Sequence, residues 1–143
     1  MKVVLDANVI VSAAYTFEIP GSIIAQVLRM GIRSRYSLLT SAHIMHEVEM
    51  ALAKPFFAER LAPGAIDVIL DGLRDNAIKV ELTQQVQGVA THWQDDLVLA
   101  TALSGKAEYL VTGDRELLDL DHPYDFVIIH PNAFLAVLDG DTW

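Results

Sequence analysis

Residues Asp95 to Leu117 read DDLVLATALSGKAEYLVTGDREL. The first half, through Ala107, is rich in small and apolar residues and free of proline, which suits a buried helix. The second half is a short apolar run, YLV, that halts on Thr112-Gly113-Asp114. A helix feeding a buried strand that ends on an acid is part of a βαβ arrangement. The chain opens on the same grammar. In MKVVLDANVIVSA (Met1 to Ala13) the strand Lys2 to Leu5 stops on Asp6, and a helix is expected from Asn8 to Tyr15.

Working outward from these two segments, the alternation continues. A turn is expected at Glu18 to Ser22. Helical spacing of Ile23, Ile24, Val27 and Leu28 marks a helix from Ser22 to Met30, with Gly31 placed to end it. Tyr36 to Leu39 reads as a strand, stopped by Thr40-Ser41, either of which can cap a helix over Ala42 to Ala53. Ile44, Val48, Ala51 and Leu52 form the inward face of that helix. Pro55 ends it or starts a further short helix, and Pro63 sits near the start of another, with Ile66, Ile69, Leu70 and Leu73 inward. Ala77 to Leu82 is expected as a third strand, Phe126 to Ile129 as the last, and Pro131 as the start of a final helix. Short apolar strands alternating with helices imply an α/β fold of three layers, with a central, mostly parallel sheet covered on both faces. With no repeat, low-complexity tract or linker, residues 1–143 are read as one domain.

Composition narrows the function. Of 143 residues, 52% are hydrophobic, enough for a packed core, and there is no cysteine, which excludes disulfides and thiolate metal sites. No apolar run reaches the ~20 residues of a membrane span, and Asp6 interrupts the layout of a signal peptide, so a cytoplasmic protein is expected. The formal net charge of −9 argues against a broadly basic nucleic-acid binder. It leaves room for a nuclease whose acidic centre is neutralised by divalent cations. Positive charge is concentrated in RMGIRSRY, which holds Arg29, Arg33 and Arg35.

In parallel sheets, ligands bind beyond the carboxyl ends of the strands. Asp6 and Asp114 each follow a strand directly and should project at that rim. Asp95-Asp96 starts the helix leading into the fourth strand, and Glu47 and Glu49 both flank the apolar face of the helix HIMHEVEMAL. Periodicity alone does not choose between those two glutamates. Taken singly, each acid fits turn or helix-capping chemistry. Taken together, four carboxylates at one rim repel one another and resist joint ionisation, which a cation relieves. Oxygen ligands without cysteine or a well-placed histidine favour Mg²⁺ or Mn²⁺ over zinc. Such an ion lowers the pKa of bound water and stabilises charge on a phosphodiester, so hydrolytic phosphoryl transfer is the expected chemistry.

These residues resemble the PIN-domain ribonucleases, which include the toxins of toxin–antitoxin pairs, over nearly the whole chain. VVLDANVIVSA is similar to the family's opening strand, first metal-binding Asp and following Asn. Ser41, Glu47 and Leu52 resemble the second acidic segment, and this likeness selects Glu47. DDLVLATALSGKAEYLVTGDREL resembles the third and fourth segments, with Asp96 as third acid and Asp114 as fourth. The resemblance implies Mg²⁺ or Mn²⁺ held by Asp6, Asp96 and Asp114, with Glu47 a ligand or nearby base. It implies that Asn8 orients Asp6, that Thr112 hydrogen-bonds within the site, and that Asp95 and Glu116 are outlying acids. Ser12 matches a position often polar in the family. Endonucleolytic cleavage of single-stranded RNA is implied, leaving a 5′-phosphate, with an antitoxin protein as partner; separately, the apolar helix faces make a homodimer the expected assembly. Arg29, Arg33 and Arg35 are the candidates for gripping RNA or an acidic antitoxin segment. The apolar stripes Ala133 to Leu138 and Ile23 to Leu28 are dimer face or core.

Three alternatives compete. Haloacid-dehalogenase-like phosphatases also place a nucleophilic Asp after the first strand, imitated by Asp6, Thr40 or Ser41, and Gly113-Asp114 with Asp119. Covalent catalysis by Asp6 would need a general acid two residues on, where Asn8 stands. A zinc hydrolase built on His43, His46 and Glu47 lacks the HExxH order, and His92, His122 and His130 receive no role. A catalytically silent PIN-like module that only binds partners is the third.

Overall fold

The KVVL run forms β1 (Lys2–Leu5), and Val3, Val4 and Leu5 are all fully buried, as a strand covered on both faces requires. The computed structural model describes residues 1–120 and 123–140, so His122 lies outside the described residues. Among these the chain forms five strands and eight helices. After β1 come α1 (Ala7–Tyr15), α2 (Ile23–Ile32), β2 (Ser37–Thr40), α3 (Ala42–Leu52), α4 (Pro55–Ala58), α5 (Ala65–Asn76) and β3 (Ile78–Lys79). The second half is α6 (Trp93–Ser104), β4 (Tyr109–Val111), α7 (Arg115–Leu118), β5 (Val127–Ile129) and α8 (Pro131–Leu138). No helix among the described residues is long and apolar enough to cross a membrane.

All five strands are parallel, in the order β3-β2-β1-β4-β5. α2 packs on α1, α5 and α8, while α6 lies against β1, β2 and β4, which gives the three-layer α/β/α arrangement. From β1 the chain builds the sheet outward in one direction through β2 and β3, then returns and builds the other half through β4 and β5. The order therefore reverses between β1 and β4, and ligands of open parallel sheets bind at such a switch point. Asp6 and Thr112 are the residues that leave those two strands.

Three local differences from the sequence expectation have physical causes. Gly31 does not end α2: it lies inside the helix, where a Cβ would sit 2.6 Å from Tyr36 Oη. That hydroxyl donates to Val27 O at 2.6 Å, so the glycine makes room for a buried tyrosine. The third strand shrinks from Ala77–Leu82 to Ile78–Lys79, because its partner β2 ends at Thr40, whose carbonyl takes the Val80 N–H at 2.8 Å, and the amides of Thr83 and Gln84 beyond bond to Ser104 Oγ. The short helix α7, capped by Asp114, follows β4 where only a strand end was expected. Of the two readings open for the α2 and α8 stripes, packing favours core: the two helices pack together, with Val27, Leu28 and Phe134 fully buried. Phe134 meets the Tyr36 ring edge-on at 5.3 Å.

Candidate active site

Asp6 is held from three sides. It caps α1, its Oδ1 accepting the Ala7 N–H at 2.8 Å, and is almost fully buried. Its Oδ2 accepts the Thr112 hydroxyl at 2.8 Å and the Asn8 side-chain amide at 3.2 Å. Thr112 Oγ1 in turn accepts the Asp114 N–H at 3.1 Å, and Asn8 Oδ1 accepts the Gly113 N–H at 3.3 Å. The ends of β1 and β4 are thus laced together, and the Asp6 N–H to Val111 O bond of 2.9 Å closes the rim beneath them. Asn8 and Thr112 both hold the Asp6 carboxylate.

Burial raises the Asp6 carboxyl to about 6, against the pull of the Thr112 and Ala7 hydrogen bonds and with a further push from the Asp95 and Glu47 charges. Asp95 is raised as well, first by burial, then by Asp114, with Glu47 and Glu116 adding to it and His92 opposing. These two groups link five acids electrostatically: Asp6, Glu47, Asp95, Asp114 and Glu116. Glu47 from α3 presses one carboxylate oxygen against His43 Nε2, one helical turn earlier. Glu49 points elsewhere and pairs with Arg74 at 3.1 Å, which separates the two glutamates that periodicity could not.

Asp96, expected from the sequence as the third acid, is not in this group. Its carboxylate is buried and accepts three backbone amides, Gly88 at 2.9 Å, Val89 at 3.2 Å and Ala90 at 2.7 Å. It anchors the loop before α6, where Gly88 supplies a φ of 70° that the turn requires. Successive residues of a helix point about 100° apart. The first turn of α6 therefore aims Asp95 at the rim and Asp96 at the loop.

The arginines lie away from the carboxylates. Arg29, Arg33 and Arg35 line one groove with Gln26 and Met30, at the end of α2 where the chain enters β2. Ser37 there pairs with Lys2, so the groove lies at the opposite rim of the sheet from Asp6, about a four-residue strand (~13 Å) away. Arg29 is engaged locally, donating to Phe17 O at 3.1 Å and stacking over the Phe17 ring at 4.5 Å. Conversely, two histidines without an assigned role sit at the acidic rim. His92 precedes α6 and lies 3.8 Å from Glu116. His130 follows β5 as Asp6 follows β1, and that shared position was the sequence signal for it.

A family model described as a PIN domain matches residues 2–116. The chain belongs to the PIN-domain family. Its fold agrees with the crystal structure of PAE2754 from Pyrobaculum aerophilum, with a TM-score of 0.69 at 21% identity over 98% of this chain and 90% of that one. No match was found among curated proteins. PIN domains are in general nucleases, typically using a divalent metal, so this chain has a nuclease-type fold. Among the described residues no three acids or histidines are already drawn together as a metal cage. The donor set nevertheless fits a hard divalent cation: carboxylates only, one of them buried, with burial first and the neighbouring carboxylates second holding Asp6 and Asp95 back from ionising.

Proposed function

We propose that this PIN domain is a Mg²⁺- or Mn²⁺-dependent endoribonuclease acting on single-stranded RNA, and the toxin of a toxin–antitoxin pair. The observation that carries the reading is the buried, triply hydrogen-bonded Asp6 facing the Asp95 and Glu47 charges at the switch point of the sheet. Asp6, Asp95 and Asp114 would hold the ion, with Glu47 beside them. When bound, the ion supplies a more acidic water and neutralises charge on the scissile phosphate.

The chain's own residues do the rest. Thr112 and Asn8 fix the Asp6 carboxylate so that it does not reorganise as charge develops. Asp114 is held in place by capping α7, its Oδ1 accepting the Glu116 N–H at 3.0 Å. Glu47 turns one oxygen to His43, and its other oxygen accepts a proton from the attacking water. The product carries a 5′-phosphate. Antitoxin binding neutralises the enzyme, and the toxin acts as a homodimer in the cytoplasm.

The test combines two measurements on the purified chain. Calorimetry with Mn²⁺ should detect binding that Asp6→Asn and Asp95→Asn weaken, and single-stranded RNA should be cut only with the metal present. Absence of both binding and cleavage would leave the catalytically silent module as the reading. Cleavage that persists in Asp6→Asn would point to a contaminating nuclease.

A further inference from the structure

A cavity of about 530 Å³ opens from the acidic rim between the starts of α1 and α8. One wall, formed by Asn8, Gly113 and Asp114, is shared with the carboxylate cluster. The opposite wall is made by Ser12, Ile24, His130 and Asn132. The chemistry of that second wall selects an occupant. No Lys or Arg lines the cavity, so it offers no fixed cation to a phosphate. Instead it combines apolar surface from Ile24 with short neutral hydrogen-bonding groups, the Ser12 hydroxyl and the Asn132 amide. The His130 ring adds a defined polarity. Its Nδ1 accepts the Asn132 N–H at 3.2 Å, which keeps the ring proton on Nε2 as a donor. An uncharged planar ring with donors and acceptors along its edge matches these features. The volume also lies within the range of small-molecule sites, ample for one base and its sugar.

We infer that this cavity is a base subsite, which takes one unstacked nucleobase of the RNA strand whose neighbouring phosphate lies over the carboxylates. The inference rests on the nuclease reading above for the identity of its ligand. Continuity of the cavity with Asp114 sets the distance, because a strand crossing the acidic rim delivers its next base to the Ser12–Asn132 wall. A paired and stacked base cannot enter, so the subsite also accounts for selection of single strands.

The full-length chain should be titrated with each nucleoside 5′-monophosphate and with ribose 5-phosphate while the His130 and Asn132 side chains are followed by NMR. At least one nucleotide should shift both residues, and ribose 5-phosphate should shift neither. Ser12→Leu fills the cavity from an exposed helical position where leucine is the better helix former, and it should abolish those shifts with the fold intact. In cleavage of a randomised RNA pool, Asn132→Ala should change the preference for the base beside the cut by about tenfold, the worth of one hydrogen bond. Equal shifts from ribose 5-phosphate, or none from any nucleotide, would overturn the subsite. So would an unchanged base distribution in Ser12→Leu and Asn132→Ala alongside active cleavage, and that result would leave the nuclease standing. Nucleotide shifts at His130 and Asn132 without any RNA cleavage would uphold the subsite and remove the nuclease.

Discussion

In the presence of EDTA, Asp6→Asn should be more stable than the parent protein at pH 7.5 and less stable at pH 4. The Asp6 carboxyl is raised from 3.8 to about 6 in the folded protein, mainly by burial. A group raised on folding contributes stability that is fully present below its unfolded value and is lost as pH rises through its folded value. At pH 7.5 the ionised carboxylate therefore costs the native state about 3 kcal/mol. Asparagine removes that cost and keeps the bond from Ala7, since its Oδ1 accepts as the carboxylate does. It replaces the oxygen that receives Thr112 and Asn8 with an amide, forfeiting two hydrogen bonds worth about 2 kcal/mol together. The net gain at pH 7.5 is about 1 kcal/mol, and at pH 4, where Asp6 is largely protonated, only the loss of about 2 kcal/mol remains. Urea denaturation followed by circular dichroism at the two pH values measures the difference directly. A variant less stable by the same amount at both pH values would refute the reasoning, because it would mean that Asp6 is not destabilised as an anion.

Further outcomes follow from the same geometry. Mn²⁺ affinity should fall about tenfold per pH unit below 6, since the ion and the proton compete for Asp6; a flat profile by calorimetry would contradict this. Asn8→Ala should lower divalent-ion affinity or cleavage by 10- to 100-fold, roughly the range for partners that orient a metal ligand, with the fold retained in circular dichroism. Asp96→Ala should destabilise the protein by about 2 kcal/mol, because three loop amides lose a charged acceptor; unchanged urea stability would refute its anchoring role. Gly31→Ala should cost about 1–3 kcal/mol through collision with Tyr36, and Tyr36→Phe in the same chain should relieve part of it.

The alternation of apolar strands with helices, and the acids that close the first and fourth strands, were legible because each strand is buried on both faces and bounded by polar residues. The directions in which Asp95 and Asp96 point were not. α6 is buried along Asp96, Val98, Leu99, Ala100, Thr101 and Ala102, so its pattern has no exposed stripe from which to phase the first turn. Gly31 was misleading for a related reason: a glycine late in an apolar helix reads as a stop, whereas close approach to Tyr36 depends on a contact five residues further on. The loop ahead of α6 escaped notice because its backbone bonds go to side chains, Ser104 and Asp96, rather than to a strand. The arginine cluster was correctly seen as a group, but sequence spacing carries no sign of which rim of the sheet it occupies.

The most direct test is the Mn²⁺-dependent rate of single-stranded RNA cleavage by Asp95→Asn beside that of the parent. If Asp95 belongs with Asp6 and Asp114 around a divalent ion, the variant should lose more than the roughly 100-fold that marks outlying partners, with its urea stability retained. Cleavage by Asp95→Asn at the parent's rate would contradict the assignment of these carboxylates as the catalytic centre.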